Sequence, residues 1–210
     1  AYPTPLHPSG ALLLGDVAHA RDRALLAALG VTHVVNVAEH RTNTGRAFYR
    51  GHATVRAYLG VAAEDHVNYP LLGKHFEKIR RFVDAALRGT DDSFHDSSDS
   101  DDDDYDPNAD TPNSLSDLST PPLSLLLASP APSPPSPSSR GRRSARPPRV
   151  LVHCVAGVNR SAAVAAALLA AGAGVGVREA VLAVARAVPY PVLRNAGFVA
   201  QLREWERERE

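Results

Sequence analysis

The chain has 210 residues, room for one ordinary domain or two very small ones, and its 44% hydrophobic content suffices for a core, which excludes a wholly disordered protein. Basic and acidic residues balance at 23 each but are segregated. Residues 91–148 hold eleven acidic and four basic side chains, leaving nineteen basic against twelve acidic elsewhere, so the part able to fold is basic and suited to anions.

In chain order, ALLLGD at 11–16 predicts a short strand, and 19–29 a helix ended by Gly30. THVVNV at 32–37 predicts a buried strand, 55–59 another, and 75–87 a helix with Phe76, Ile79, Val83 and Leu87 on its apolar face. Composition then breaks. An acidic, Ser-rich tract at 91–110 passes into a Ser/Pro stretch with an apolar patch at 123–127 and closes on the basic RGRRSARPPR. Such low complexity cannot repay the entropy of ordering, so 89–148 is expected to be a disordered insert. Residues 1–88 and 149–210 are expected to form one domain around it, because a long loop costs little more than a short one. After it come an apolar strand at 150–152 and helices at 161–171, 177–188 and 196–208. Strands alternating with helices predict an α/β fold with a central, mostly parallel sheet flanked by helices.

A single cysteine, Cys154, excludes a disulfide framework and a multi-thiolate zinc site, so an intracellular location, cytoplasmic or nuclear, is expected. No run reaches the roughly 18–20 apolar residues of a membrane span, no secretory pattern opens the chain, and no membrane partner is expected. Lacking Met, the chain is expected to begin inside a longer product or after processing.

The chemistry concentrates in residues 150–161, Val-Leu-Val-His-Cys-Val-Ala-Gly-Val-Asn-Arg-Ser. A buried strand delivers Cys154 into a five-residue loop, after which Arg160 and Ser161 open a helix. Inward-turned backbone N–H groups and the positive end of the helix dipole make such a loop an anion cradle. A thiol placed there is expected to ionise below its free value and act as a nucleophile. Arg160 supplies a planar fork for two phosphate oxygens, and Gly157 permits close backbone approach. The substrate phosphate is expected to sit on Val155, Ala156, Gly157, Val158, Asn159 and Arg160.

His-Cys, five residues, Arg-Ser resembles the signature of the cysteine-dependent protein phosphatases, in particular their dual-specificity branch. The resemblance extends to LGD at 14–16, LGVTHVVNVAE at 29–39, YLGVAAED at 58–65, HFEKIRRFVDAAL at 75–87 and RNAGFVAQL at 194–202, in the family's order. It implies the cysteine-phosphatase fold, with Cys154 forming a phosphocysteine and Arg160 clamping the phosphate. Ser161 would stabilise the departing thiolate. Asp65 would be the general acid that protonates the leaving oxygen and then helps activate water, with Glu64 its neighbouring rival. His153 would order the loop and tune the thiolate from behind without proton transfer, and Asn195 would brace the loop. Asp65 precedes Phe76 by eleven residues, one more than the resemblance leads one to expect.

Neither metal nor organic cofactor is expected. The implied activity is hydrolysis of phosphotyrosine and phosphoserine/phosphothreonine on proteins. An uncharged loop interior argues against a phosphoinositide substrate. An RNA 5′-triphosphatase of the same fold and a non-catalytic phosphoprotein-binding scaffold are the alternatives; a nucleic-acid partner is not expected. In the insert, Ser93, Ser98 and Ser100 each precede an aspartate by three residues, a pattern for an acidophilic kinase that would add charge facing a basic domain. Gly15-Asp16 is expected to be a structural turn.

Overall fold

A computed structural model describes residues 4–6, 11–42, 44–90 and 147–209. The residues on the two sides of 95–145 belong to one compact unit, 1–94 with 146–210. Of the insert expected over 89–148, residues 91–146, with the apolar patch and the serines at 93, 98 and 100, lie outside the described residues, whereas Gly89 caps a helix and 147–148 lead into a strand.

Five strands form one sheet in the order β1-β2-β5-β3-β4: β1 (Thr4–Pro5), β2 (Leu12–Gly15), β3 (His33–Asn36), β4 (Ala57–Gly60) and β5 (Val150–His153). All neighbours run parallel except β1, which pairs antiparallel with β2. Continuous apolar runs suit strands covered on both faces, and the period of two decides which side chain goes where. Leu12, Leu14, Val35, Leu59, Val150 and Val152 face one core, against α3 (Glu77–Arg88), α4 (Arg160–Ala173), α5 (Val177–Ala187) and α6 (Ala196–Arg207). Leu13, Val34, Tyr58 and Leu151 face the other, against Ala20 of α1 (Val17–Arg21) and Leu26 of α2 (Arg23–Leu29). Fully burying a side chain such as Ile79 or Leu151 stabilises the fold by about 1.5–3 kcal/mol.

The helix expected over 19–29 is two helices. Asp16 caps the first through a reciprocal pair with His19, and Asp22, whose carboxylate accepts from Leu25 N–H, ends it and starts the second. The expected turn at Gly15-Asp16 is thus a helix cap. The strand expected at 55–59 pairs at Ala57–Gly60. The helix expected over 75–87 begins earlier, with a π-helical turn at Leu72–Phe76. Its buried stripe runs Ile79, Phe82, Val83 and Ala86, whereas Leu87 is 41% exposed and leaves the core face in the last turn before Gly89. No described helix is long and apolar enough to cross a membrane.

The carboxyl ends of β2, β4 and β5 converge on one side of the sheet, where open parallel sheets place their ligands. β5 ends at His153 and passes directly into the loop 154–159, and β4 ends at Gly60 and passes into the loop 61–70.

Candidate active site

Cys154 is buried at the start of the loop, and its sulfur is the loop's focus. Gly157 N–H lies 3.3 Å from Sγ and Ser161 Oγ–H 3.2 Å, both donating to it. Gly157 has φ +72°, the left-handed region, and a Cβ there would stand 2.9 Å from the Gly15 carbonyl oxygen. The end of β2 therefore forms a floor under the loop, reinforced where Val17 N–H donates to Val155 O at 3.1 Å. From the other side Leu193 N–H donates to Val158 O at 2.9 Å. Leu193 itself has φ +57°, a conformation a leucine keeps only where its surroundings fix it.

Asn159 occupies the N-cap position of α4, where an Asn side chain ordinarily accepts from the helix's first turn. It makes no cap bond. Its Oδ1 accepts instead from the N–H groups of Arg194 (2.8 Å) and Asn195 (3.2 Å), and its Nδ2 donates to both oxygens of Asp65 at 3.2 Å. The first N–H groups of α4 have no capping side chain competing for them, which suits the helix end to an incoming anion.

Arg160 is buried, with Nη1 donating to Ala63 O at 2.9 Å and Nε 3.8 Å from an Asp65 oxygen. Asp65, on the exposed loop after β4, also accepts from Asn195 Nδ2 at 2.9 Å. Asp65, distant in sequence, thus meets Cys154, Arg160 and Ser161 in one place. Glu64, the rival acid, is exposed and makes none of these contacts.

His153 is buried beneath the loop, Nδ1 lying 3.2 Å from the Cys154 carbonyl oxygen, so it holds the backbone of the nucleophile and not the sulfur. Burial pushes its pKa down to about 4, which makes the ring neutral near pH 7. The neutral tautomer with the proton on Nδ1 donates to that carbonyl. Asn195 was expected to brace the phosphate loop. Its backbone N–H does so through Asn159, while its side chain caps α6, accepting from Gly197 N–H at 3.0 Å, and holds Asp65. Val155 and Ala156 stand exposed at the loop's outer rim, Val155 at 37%. Among the described residues no cluster of three or more His, Cys, Asp or Glu side chains could hold a metal ion.

Three contributors were not singled out from sequence: the side chain of Asn159, Gly197 and Gln201. A Cβ on Gly197 would lie 1.7 Å from the Val67 carbonyl oxygen, and Gln201 hydrogen-bonds Tyr69 and Leu72. A glycine in a helix's first turn, where it costs helix stability, is the signal that could have pointed to a close approach there.

Residues 144–208 match the family described as dual specificity phosphatase, catalytic domain. This segment is similar in sequence to that family's catalytic domain. Over 78 residues the chain is 44% identical to dual specificity protein phosphatase 13B of Mus musculus and 41% to its counterpart in Homo sapiens. The match takes in 36% of this chain and 38% of those relatives' length. The phosphatase fold extends further than the sequence match. A variant of human DUSP28 superposes with a TM-score of 0.61 at 24% identity, over 99% of this chain and 96% of its own. Human tyrosine phosphatase-like serine/threonine/tyrosine-interacting protein does so with 0.61 at 19% identity, over 99% and 97%. The chain therefore has the dual-specificity phosphatase fold, a parallel sheet flanked by helices.

Proposed function

We propose that this chain is a cysteine-based protein phosphatase hydrolysing phosphotyrosine and phosphoserine/phosphothreonine monoesters through a phosphocysteine intermediate. The observation that carries the reading is the pair of donors, Gly157 N–H and Ser161 O–H, aimed at Cys154 Sγ, with the Arg160 guanidinium and the Asp65 carboxyl in the same site.

In the first step the Cys154 thiolate attacks phosphorus in line with the ester oxygen. The S–P bond forms as the P–O bond breaks, and the leaving oxygen takes a proton from Asp65. The equatorial oxygens rest on the loop N–H groups of 155–160 and on Arg160, whose planar fork matches two of them. In the second step water attacks phosphorus, gives a proton to the Asp65 carboxylate, and the S–P bond breaks. Ser161 O–H stabilises the sulfur as negative charge returns to it, and inorganic phosphate leaves. His153 holds the Cys154 carbonyl and transfers no proton.

The exposed rim at Val155 and Ala156 and the exposed acid loop support a shallow site, which admits phosphoserine and phosphothreonine as well as the longer phosphotyrosine. The test is hydrolysis of p-nitrophenyl phosphate by the full chain, with acid quenching to capture phosphate on Cys154. Turnover should vanish in Cys154→Ser; activity surviving that change would overturn the covalent reading. Cys154→Ser or Asp65→Ala protein used as bait should retain the phosphorylated proteins that serve as substrates.

A further inference from the structure

The loop 61–70 carries Asp65; Val61 and Ala63 are buried at its start, but the run 64–68 is exposed, so burial does not hold the part that bears the acid. Its fastenings come from elsewhere in the chain, and they run in register along α6. Asn195, at the N-cap, holds Asp65. Gly197 meets Val67, its missing side chain leaving room for the carbonyl. One turn later, Gln201 Nε2 donates to Tyr69 O at 2.8 Å while its Oε1 accepts from Leu72 N–H at 3.2 Å. That single amide bridges both sides of Pro70, which has no N–H of its own. It also satisfies an N–H at a helix start, where donors have no partner within the helix. Tyr69 completes the closure: its hydroxyl donates to Ala62 O at 3.1 Å, across the neck of the loop, and lies 2.7 Å from His75 Nε2.

Resting on the reading of Asp65 as general acid, we infer that Gln201 is a positioning residue, which with Gly197 sets where the acid loop stands above the phosphate loop. Gln201 touches neither the phosphate loop nor Asp65. It acts by fixing Tyr69 and Leu72, the far anchor of a loop whose near anchor is the Ala63–Arg160 bond. Freed there, the loop swings about its near anchor and Asp65 loses its alignment with the leaving oxygen, while the nucleophile keeps its place. A displacement of about 1 Å in a catalytic group costs up to about a hundredfold in rate.

The experiment compares full-length wild type, Gln201→Leu, Gln201→Glu and Asp65→Asn on phenyl phosphate, a poor leaving group, and on p-nitrophenyl phosphate, a good one. Amide hydrogen exchange is followed over 61–72. Gln201→Leu should slow phosphocysteine formation, followed in single turnover, about tenfold on phenyl phosphate, leave it within about twofold on p-nitrophenyl phosphate, and speed exchange over 61–72 but not over 150–153. Gln201→Glu keeps the acceptor for Leu72 N–H and should fall between, which keeps the test decisive if Gln201→Leu folds poorly. Combined with Asp65→Asn, neither change should reduce phenyl phosphate turnover further. Equal losses on both substrates, or exchange over 61–72 unchanged, would overturn the proposal. An Asp65→Asn protein that treats the two substrates alike strikes the acid assignment instead, whereas exchange over 61–72 reports on Gln201 alone, so the two failures are told apart.

Discussion

The loops 154–159 and 61–70 bring their groups to the same point by opposite means. The first is contiguous with a central strand and the start of a buried helix. Cys154, Gly157, Arg160 and Ser161 are all buried, and its shape follows from its own backbone and the strand end beneath it. The second is mostly exposed and is held by side chains of Asn159, Arg160, Asn195 and Gln201, each about ninety or more residues away. Placement of the nucleophile is intrinsic to its segment, and placement of the acid is borrowed. Damage to the first should affect every substrate alike. Damage to the second should separate substrates in the first step, where only some leaving groups need a proton.

Arg160 is the residue the two regions share, so the largest effect is expected there. Arg160→Lys removes the two-oxygen fork and the bond to Ala63 O together. It should lower kcat/KM by about a hundredfold or more on all aryl phosphates; a loss under tenfold would show that the guanidinium does not clamp phosphate. Next, Asp65→Asn should slow phosphocysteine formation, followed in single turnover, about a hundredfold on phenyl phosphate and little on p-nitrophenyl phosphate. Equal losses would erase the distinction between the loops and move the acid elsewhere, with Glu64 the first place to look.

The remaining two effects concern the support of the phosphate loop. Burial lowers the His153 pKa from 6.5 to about 4, so between those values the unfolded chain binds a proton that the folded chain does not. Stability therefore rises with pH across that window, is complete above about 6.5 and falls away toward 4. The loss between pH 7 and 5 should be about 2 kcal/mol. Urea unfolding at several pH values checks it: the slope should flatten in His153→Asn, and a slope unchanged there would assign the acid sensitivity to other groups. Smallest is Gly157→Ala, where the left-handed backbone alone costs at least about 1 kcal/mol. Thermal unfolding should register it as a lower Tm, and an unaltered Tm would mean that the loop's shape is not set by its own backbone.

The same contrast explains what was legible in the sequence. His153 to Ser161 form one unbroken run, so the nucleophile, the clamp and the loop that joins them could be read together. The parallel sheet was legible because its strands are short apolar runs between helical segments. The side chain of Asn159, placed from sequence with the phosphate-binding loop, is turned toward Asp65 and α6. Nothing local announces that, because its partners lie 94 and 35 residues distant. Gln201 is equally silent, a polar residue on a helix whose two bonds span 132 and 129 residues. The break at Asp22 is hard to read because Ala, Arg and Leu, good helix formers, stand on both sides of it, and one carboxylate accepting from Leu25 N–H decides it. The period alone does not place Leu87, because a stripe of i, i+3 and i+4 positions fits both Ala86 and Leu87, and the structure buries Ala86.

β5, the last strand to be made, lies between β2 and β3. Residues 1–90 supply the strands on each side of it, and residues 150–153 join the two pairs into one sheet. The same strand carries Cys154 at its tip, so completion of the hydrogen-bonded ladder and delivery of the thiol into its loop are one event.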